Sequence, residues 1–178
     1  MKTFPELKSR RLRLRAVGEQ DYDFYFEMLH NEDVLRYTDV PHKPSRKRSE
    51  AFVNWMMRLF PRGKGCAWLI ETPRAGKPLG AIRINSIHKR TRVGVVGYEL
   101  HPDAWGKGLM SEALSLIVPP GHADFGIHRM EAWTLPGNPG SDRVLQRNGF
   151  VYEGTSRAKI YFNGKFLDVR NFARLPND

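Results

Sequence analysis

Between residues 93 and 117 the chain reads "VGVVGYELHPDAWGKGLMSEALSLI": a β-branched run, a glycine-rich turn and an apolar-periodic segment in direct succession. That order predicts a strand, a tight loop, and a helix beginning near Gly108 with Leu109, Ala113, Leu116 and Ile117 on one face. Such a junction aims consecutive backbone N–H groups and the positive end of a helix dipole at one spot, which suits a phosphate or pyrophosphate. Glycine at 106 and 108 lets the backbone come close to an anion and adopt positive φ. Lys107 either adds charge there or points to solvent. A Gly-x-Gly pair alone also reads as an ordinary turn, so the rest of the chain has to carry the anion reading.

Two familiar phosphate loops are excluded. A P-loop needs glycine five residues before Gly106, where His101 stands, and the dinucleotide fingerprint fails at its third glycine, which is Ser111.

The remaining segments predict a mixed α/β chain forming a single domain over residues 1–178. Residues 10–17 alternate as a first strand. Tyr22, Tyr25, Phe26 and Leu29 mark a first helix, and Phe52, Trp55, Met56 and Leu59 a second, closed by Pro61 and Gly63. These aromatic stripes read as core. Strands follow at 66–71, 79–85 and 93–100, joined by short turns that favour antiparallel pairing. Another strand falls at 130–135. Asn138 as N-cap, Pro139 at the first helical position and Gly149 past the end frame a helix over 139–148. "FVYEG", "AKIYF" and "FLDVRNFARL" read as closing strands, with Asn163-Gly164 turning a hairpin. Pro119-Pro120-Gly121 predicts that the helix after the glycine loop stops or kinks near Val118.

Cys66 is the single cysteine, so no disulfide forms within the chain, and no Cys/His spacing suits a metal. Cys66 and the histidines read as structural. The N-terminus lacks the apolar core of a signal peptide, and no run approaches the ~18 apolar residues of a membrane span, so the expectation is a cytoplasmic protein with no membrane role. The net charge of +10 attracts nucleic acid, anionic membranes, acidic proteins or phosphorylated ligands alike. Its densest patches are "KSRRLRLR" (8–15), read as a strand with a solvated basic face, and "KPSRKR" (43–48), read as an exposed approach to a helix. No nucleic-acid-binding signature accompanies either patch.

The run "GYELHPDAWGKGLMSEAL" (97–114) resembles the acetyl-CoA signature of the GNAT N-acetyltransferase superfamily, with Trp105 and Met110 at the outer positions of its Q/R-x-x-G-x-G/A loop. "SRRLRLRAV" (9–17), "HRMEAWTLPGNPGSDRVLQRNGFVYEG" (128–154) and "YFNGKFLDVRNFARL" resemble further segments of its ribosomal-protein N-terminal acetyltransferase branch, so nearly the whole chain is covered.

The resemblance implies a mainly antiparallel twisted sheet flanked by helices, in which strands 93–100 and 130–135 splay apart around pantetheine. It implies direct acetyl transfer from acetyl-CoA to an amine, with no metal. The cofactor contacts it implies are Leu100, whose N–H would polarise the carbonyl, Trp105, Gly106, Lys107, Gly108, Leu109, Met110, Ser111 and Asn138. Ser141 is implied as the acid. Relatives with an acid before the last hairpin offer no counterpart here, because that stretch reads Lys159-Ile160-Tyr161-Phe162. Glu99 is the nearest candidate base, although strand alternation leaves open which way it faces, and Tyr98 and Glu153 are weaker candidates. The expected acceptor is a protein or peptide N-terminal α-amine. A small-molecule amine is the alternative, followed by a noncatalytic CoA-binding or RNA-associated protein. The chain is a monomer or a homodimer.

Overall fold

The computed structural model describes residues 3–38, 43–162 and 164–178. The N-terminal half forms antiparallel neighbours β1 (Leu7–Lys8), β2 (Arg13–Ala16), β3 (Cys66–Glu71), β4 (Pro78–His88) and β5 (Val93–Leu100), with short turns throughout except between β2 and β3, where the helices over 22–59 intervene. Next come β6 (Arg129–Thr134), β7 (Val151–Phe162) and β8 (Lys165–Arg174), which complete one sheet in the order β1-β2-β3-β4-β5-β6-β8-β7. Only the β5–β6 pair is parallel. The helices among the described residues are α1 (Tyr22–Met28), α2 (Glu32–Leu35), α3 (Arg46–Leu59), α4 (Leu109–Ala123) and α5 (Pro139–Arg147).

Strand alternation sorts the side chains onto two faces. Cys66, Trp68, Ile70, Ile82 and Ile84 pack with Ala113, Leu114 and Ile117 of α4 on one face. Ala67, Leu69 and Ala81 pack with Tyr25 of α1 and with Val53, Met56 and Leu59 of α3 on the other. β3 is buried along its whole length, which suits a central strand covered on both sides. Each large side chain buried here contributes about 1.5–3 kcal/mol.

Several expectations are revised. β1 and α2 are additional elements, too short to show a period. "FVYEG" and "AKIYF" are parts of one strand, β7, whose register against β8 shifts twice. Asn163 lies outside the described residues, and Phe162 pairs with Lys165 across the connection.

The helix after the glycine loop does not stop near Val118, for α4 runs through Pro119 and Pro120 to Ala123. The two prolines remove two helical N–H groups, at about 3 kcal/mol each in a helix interior. Burial of Ile117, Val118 and Gly121 offsets this, with Gly121 so close to Met130 that an added Cβ would lie 1.9 Å from its Cε. Both prolines lie off the buried stripe, Pro119 exposed and Pro120 half-buried.

The basic face of β2 is partly exposed, as expected, and it is also ion-paired. Arg13 and Arg15 both pair with the buried Glu71, at 3.0 and 2.8 Å, and Arg15 also pairs with the buried Asp21 at 2.7 Å. The hydrogen bonds that it donates to Asp21 hold the Arg15 guanidinium above its ordinary pKa.

Candidate active site

β5 and β6 pair at only three positions: Val93 with Arg129, Gly94 with Met130 and Val95 with Glu131. Both strands continue beyond that point without pairing to each other, so the sheet splits there, as expected.

The β4–β5 ladder shows which groups face the split. The His101 N–H donates to the Leu79 carbonyl at 2.7 Å, which makes Leu79–His101 a hydrogen-bonded pair. By the alternation of an antiparallel ladder, the Gly80–Leu100 and Ile82–Tyr98 pairs are then non-hydrogen-bonded. Tyr98 and Leu100 therefore turn their backbone N–H and C=O away from β4 and into the gap. The Leu100 carbonyl accepts from the Trp105 indole at 2.7 Å, while its N–H faces the opening.

A cavity of about 700 Å³ occupies the split. The two faces of the sheet contribute different chemistry to it. Tyr98 points toward α5, where its hydroxyl donates to the Ser141 carbonyl at 3.3 Å, and burial raises its pKa above the ordinary tyrosine value. Glu99, the next residue, points the opposite way, toward α1 and α3. Its Oε1 accepts from the Tyr25 hydroxyl at 2.6 Å and is ion-paired with Arg83. The Arg83 and Glu99 side chains are only 8% and 10% exposed, so this is a desolvated pair. Burial works against the Arg83 charge, but Glu99 more than compensates and holds the guanidinium above its ordinary pKa. Burial and the Glu99 charge together push the Tyr25 hydroxyl well up. Arg83 also donates to Asn85 Oδ1 at 3.1 Å, and its Cζ lies 5.3 Å from the centroid of the Phe52 ring.

At the cavity's far end lies the glycine loop. Gly106 and Gly108 have φ of 72° and 70°, the left-handed region that side chains disfavour. A Cβ on Gly106 would meet nothing within 4 Å, and one on Gly108 would meet only Arg11 Nη2 at 4.0 Å, so the loop's surface is open. α4 starts at Leu109, and its first N–H groups have no helical acceptors. Leu100, Trp105, Gly106, Gly108, Leu109, Met110, Ser111 and Asn138 all line the cavity, together with Ser141 and Glu99. Lys107 differs. Its ammonium folds back onto the Asp103 carbonyl at 2.6 Å, leaving only its backbone in the loop.

Asn138 caps α5 by accepting from the Ser141 N–H at 3.2 Å, which places Ser141 in the first turn. Ser111 is tied to α5 by Asn148, which donates to its hydroxyl at 3.0 Å. Glu153 lies outside the cavity lining and is ion-paired with Arg129; hydrogen bonds from Arg129 hold its pKa low. Cys66 is buried in the core, which raises its pKa.

Several residues of the site escaped the sequence reading. Arg83 is a lone cation inside the apolar run "LGAIRIN", a signal that a buried partner awaits it. Phe52 and Trp55, read as core, pack against it as expected and also line the cavity. Arg11, read as part of a strand face, donates to the Lys107 carbonyl at 3.0 Å and pairs with Glu112 of α4. Although burial opposes the Glu112 charge, hydrogen bonds from Ser9 and Arg11 keep its pKa below the ordinary carboxylate range. Among the described residues no group of three His, Cys, Asp or Glu could hold a metal ion, and no helix is long and apolar enough to cross a membrane.

Comparison with known proteins places this geometry. The family profile described as "Acetyltransferase (GNAT) domain" matches residues 11–151. The uncharacterized N-acetyltransferase YoaA of Bacillus subtilis (strain 168) is 29% identical over 170 residues, covering 96% of each chain. The ribosomal-protein-serine acetyltransferase of Escherichia coli (strain K12) is 29% identical over 112 residues, 63% of each. Among solved structures, RimL, a ribosomal L7/L12 alpha-N-protein acetyltransferase in complex with coenzyme A, superposes with a TM-score of 0.86 at 26% identity, over 96% of this chain and 98% of its own. The chain belongs to the GNAT acetyltransferase family and is an N-acetyltransferase whose acyl donor is acetyl-CoA.

Proposed function

We propose that the chain acetylates the α-amine of a protein or peptide N-terminus, as its ribosomal-protein relatives do. One observation carries the choice of acceptor. The carboxylates that line the cavity among the described residues, Asp33 and Glu99, are each already engaged by an arginine: Asp33 with Arg36 at 3.3 Å, and Glu99 with the buried Arg83. Among the described residues the cavity lining therefore offers an acceptor no carboxylate that is free of an ion pair. An α-amine, with pKa ≈ 7.7–8.0, is neutral in about one molecule in six to one in eleven at pH 7, whereas a lysine amine near 10.4 is neutral in roughly one in 2,500. Using lysine equally well would take about 3–4 kcal/mol of help from a base.

The donor side fits acetyl-CoA on the chain's own features. The open positive-φ glycines and the first turn of α4 suit its pyrophosphate, and the unpaired edges of β5 and β6 offer backbone groups to its pantetheine amides. In the transfer, the amine nitrogen attacks the thioester carbonyl and the C–S bond breaks, giving an amide and a free thiol. The Leu100 N–H stabilises the developing oxyanion. The Ser141 hydroxyl, at the positive end of α5, supplies a proton to the departing sulfur. Glu99 takes the amine's proton through water and orients Tyr25 and Arg83 on the acceptor side.

The test measures CoA release with peptides bearing free or blocked N-termini and with a panel of polyamines and amino acids. Turnover confined to free-N-terminal peptides is expected. Turnover confined to small amines would overturn the reading.

A further inference from the structure

We propose that the end of the sheet opposite the glycine loop is a docking surface for the sugar–phosphate backbone of a nucleic-acid duplex. Three segments meet there: the C-terminal end of α3 with the following loop, the β4–β5 turn, and the connection from α4 to β6. The Ile87 N–H donates to the Lys64 carbonyl at 2.8 Å, Arg92 Nε donates to the Gly126 carbonyl at 2.9 Å, and the His128 N–H donates to the Arg92 carbonyl at 2.7 Å. The rings of Phe60 and Phe125 join the α3 and α4 ends at 6.5 Å.

These segments carry Arg58, Arg62, Lys64, Lys89, Arg90 and Arg92, all exposed, against a single acid, Asp124. None of the six cations has an acidic partner among the described residues. The two basic runs conspicuous in the sequence are partly neutralised: Arg11, Arg13, Arg15, Lys43 and Arg46 are ion-paired there, while Lys8, Arg10, Lys47 and Arg48 are exposed without an acidic partner among the described residues. Half of the chain's net charge of +10 is thus concentrated at one end. The patch is bounded toward β8, where Arg129 is neutralised by Glu131 and Glu153.

The chemistry selects the partner. Four of the six cations are arginines, whose planar fork pairs with phosphate in bidentate fashion. No exposed large apolar side chain belongs to these three segments, so the surface lacks both the aromatic platforms that bind single strands and the apolar face that enters a lipid interface. What remains is sequence-independent contact with phosphates. β5 spans the seven residue steps from this end to Leu100, roughly 23 Å, so a docked duplex leaves the transfer site clear. The inference is independent of the acceptor proposed above.

The test is fluorescence anisotropy of labelled 20-base-pair RNA and DNA duplexes of arbitrary sequence, titrated with the full chain at several salt concentrations. Four to six phosphate contacts predict a slope of log affinity against log salt of about −3.6 to −5.4 on DNA. The double variant Lys89→Glu/Arg90→Glu should weaken binding at least tenfold and lower the slope magnitude by about 2. Arg74→Glu/Lys77→Glu, the same charge change in the exposed turn at the other end of β4, should leave most of the affinity. Both variants should acetylate a free peptide like the parent, which confirms their fold. Binding to RNA alone or to both duplexes supports the surface. Equal weakening by the two variants, no duplex binding, or tighter binding to polyglutamate or to phosphatidylserine vesicles would overturn it.

Discussion

Replacing Gly108 by valine tests the glycine loop directly, because the structure separates its effect on the fold from its effect on the ligand. At φ of 70° a side chain meets the left-handed penalty of roughly 1–2 kcal/mol, and β-branching adds to it. No clash is added, since the nearest heavy atom to the new Cβ is Arg11 Nη2 at 4.0 Å. For a chain of 178 residues, a loss of that size lowers Tm by about 2–8 °C, so the variant stays folded at 25 °C. The ligand side is more severe. The valine methyls occupy the space through which the loop reaches a phosphate, and losing one charge-assisted hydrogen bond of about 1.5–3 kcal/mol weakens CoA binding about 10- to 150-fold. Calorimetric titration with CoA measures this. Gly76→Val is the control: φ is 60°, the space is open, and the site is a turn outside the cavity lining, so it should show a similar Tm loss with CoA affinity unchanged. Parental CoA affinity in Gly108→Val, or an equal loss in Gly76→Val, would refute the loop's role.

Ser141→Ala should keep CoA affinity and lower kcat by about 10²–10⁴-fold, less if water replaces the hydroxyl, as read by single-turnover kinetics. Arg83→Met leaves the Glu99 carboxylate buried without its cation and should destabilise the chain by about 3–5 kcal/mol in urea unfolding, much of which Arg83→Met/Glu99→Leu should restore. Arg11→Gln frees the Lys107 carbonyl and Glu112, and because the pair is partly exposed it should raise KM for acetyl-CoA by no more than about fivefold with kcat retained. The low Glu112 pKa makes the pair's contribution to stability fully present above the unfolded carboxylate range and lost as pH falls through the folded value, so the difference in urea-unfolding stability between parent and Arg11→Gln should shrink in acid.

The fold was legible wherever local chemistry and tertiary burial agree. Asn138, Pro139 and Gly149 frame α5 because capping is a local interaction, and the apolar runs at 66–71 and 93–100 form β3 and β5 with the expected bounds. It failed where packing overrides the local rule. Pro119 and Pro120 would end an isolated helix, but Ile117, Val118 and Gly121 hold α4 against the sheet. The glycine-loop end of the cavity was readable because a glycine loop and a capped helix are contiguous in sequence. The end around Arg83 was not, because Tyr25, Phe52, Arg83 and Glu99 come from four separate elements. Only the register of β4 on β5 and the packing of α1 and α3 over them reveal that the Glu99 carboxylate has a cation and a phenol as partners.

The account rests most heavily on acetyl transfer to an α-amine assisted by a carboxylate already paired with arginine. The decisive measurement is mass-spectrometric mapping of the acetyl group on a peptide that carries both a free N-terminus and internal lysines, incubated with the chain and acetyl-CoA at pH 7. The account predicts a single acetyl group on the N-terminal nitrogen, with the lysines unmodified and no product from the N-terminally blocked peptide. Acetyl found mainly on lysine side chains would contradict it.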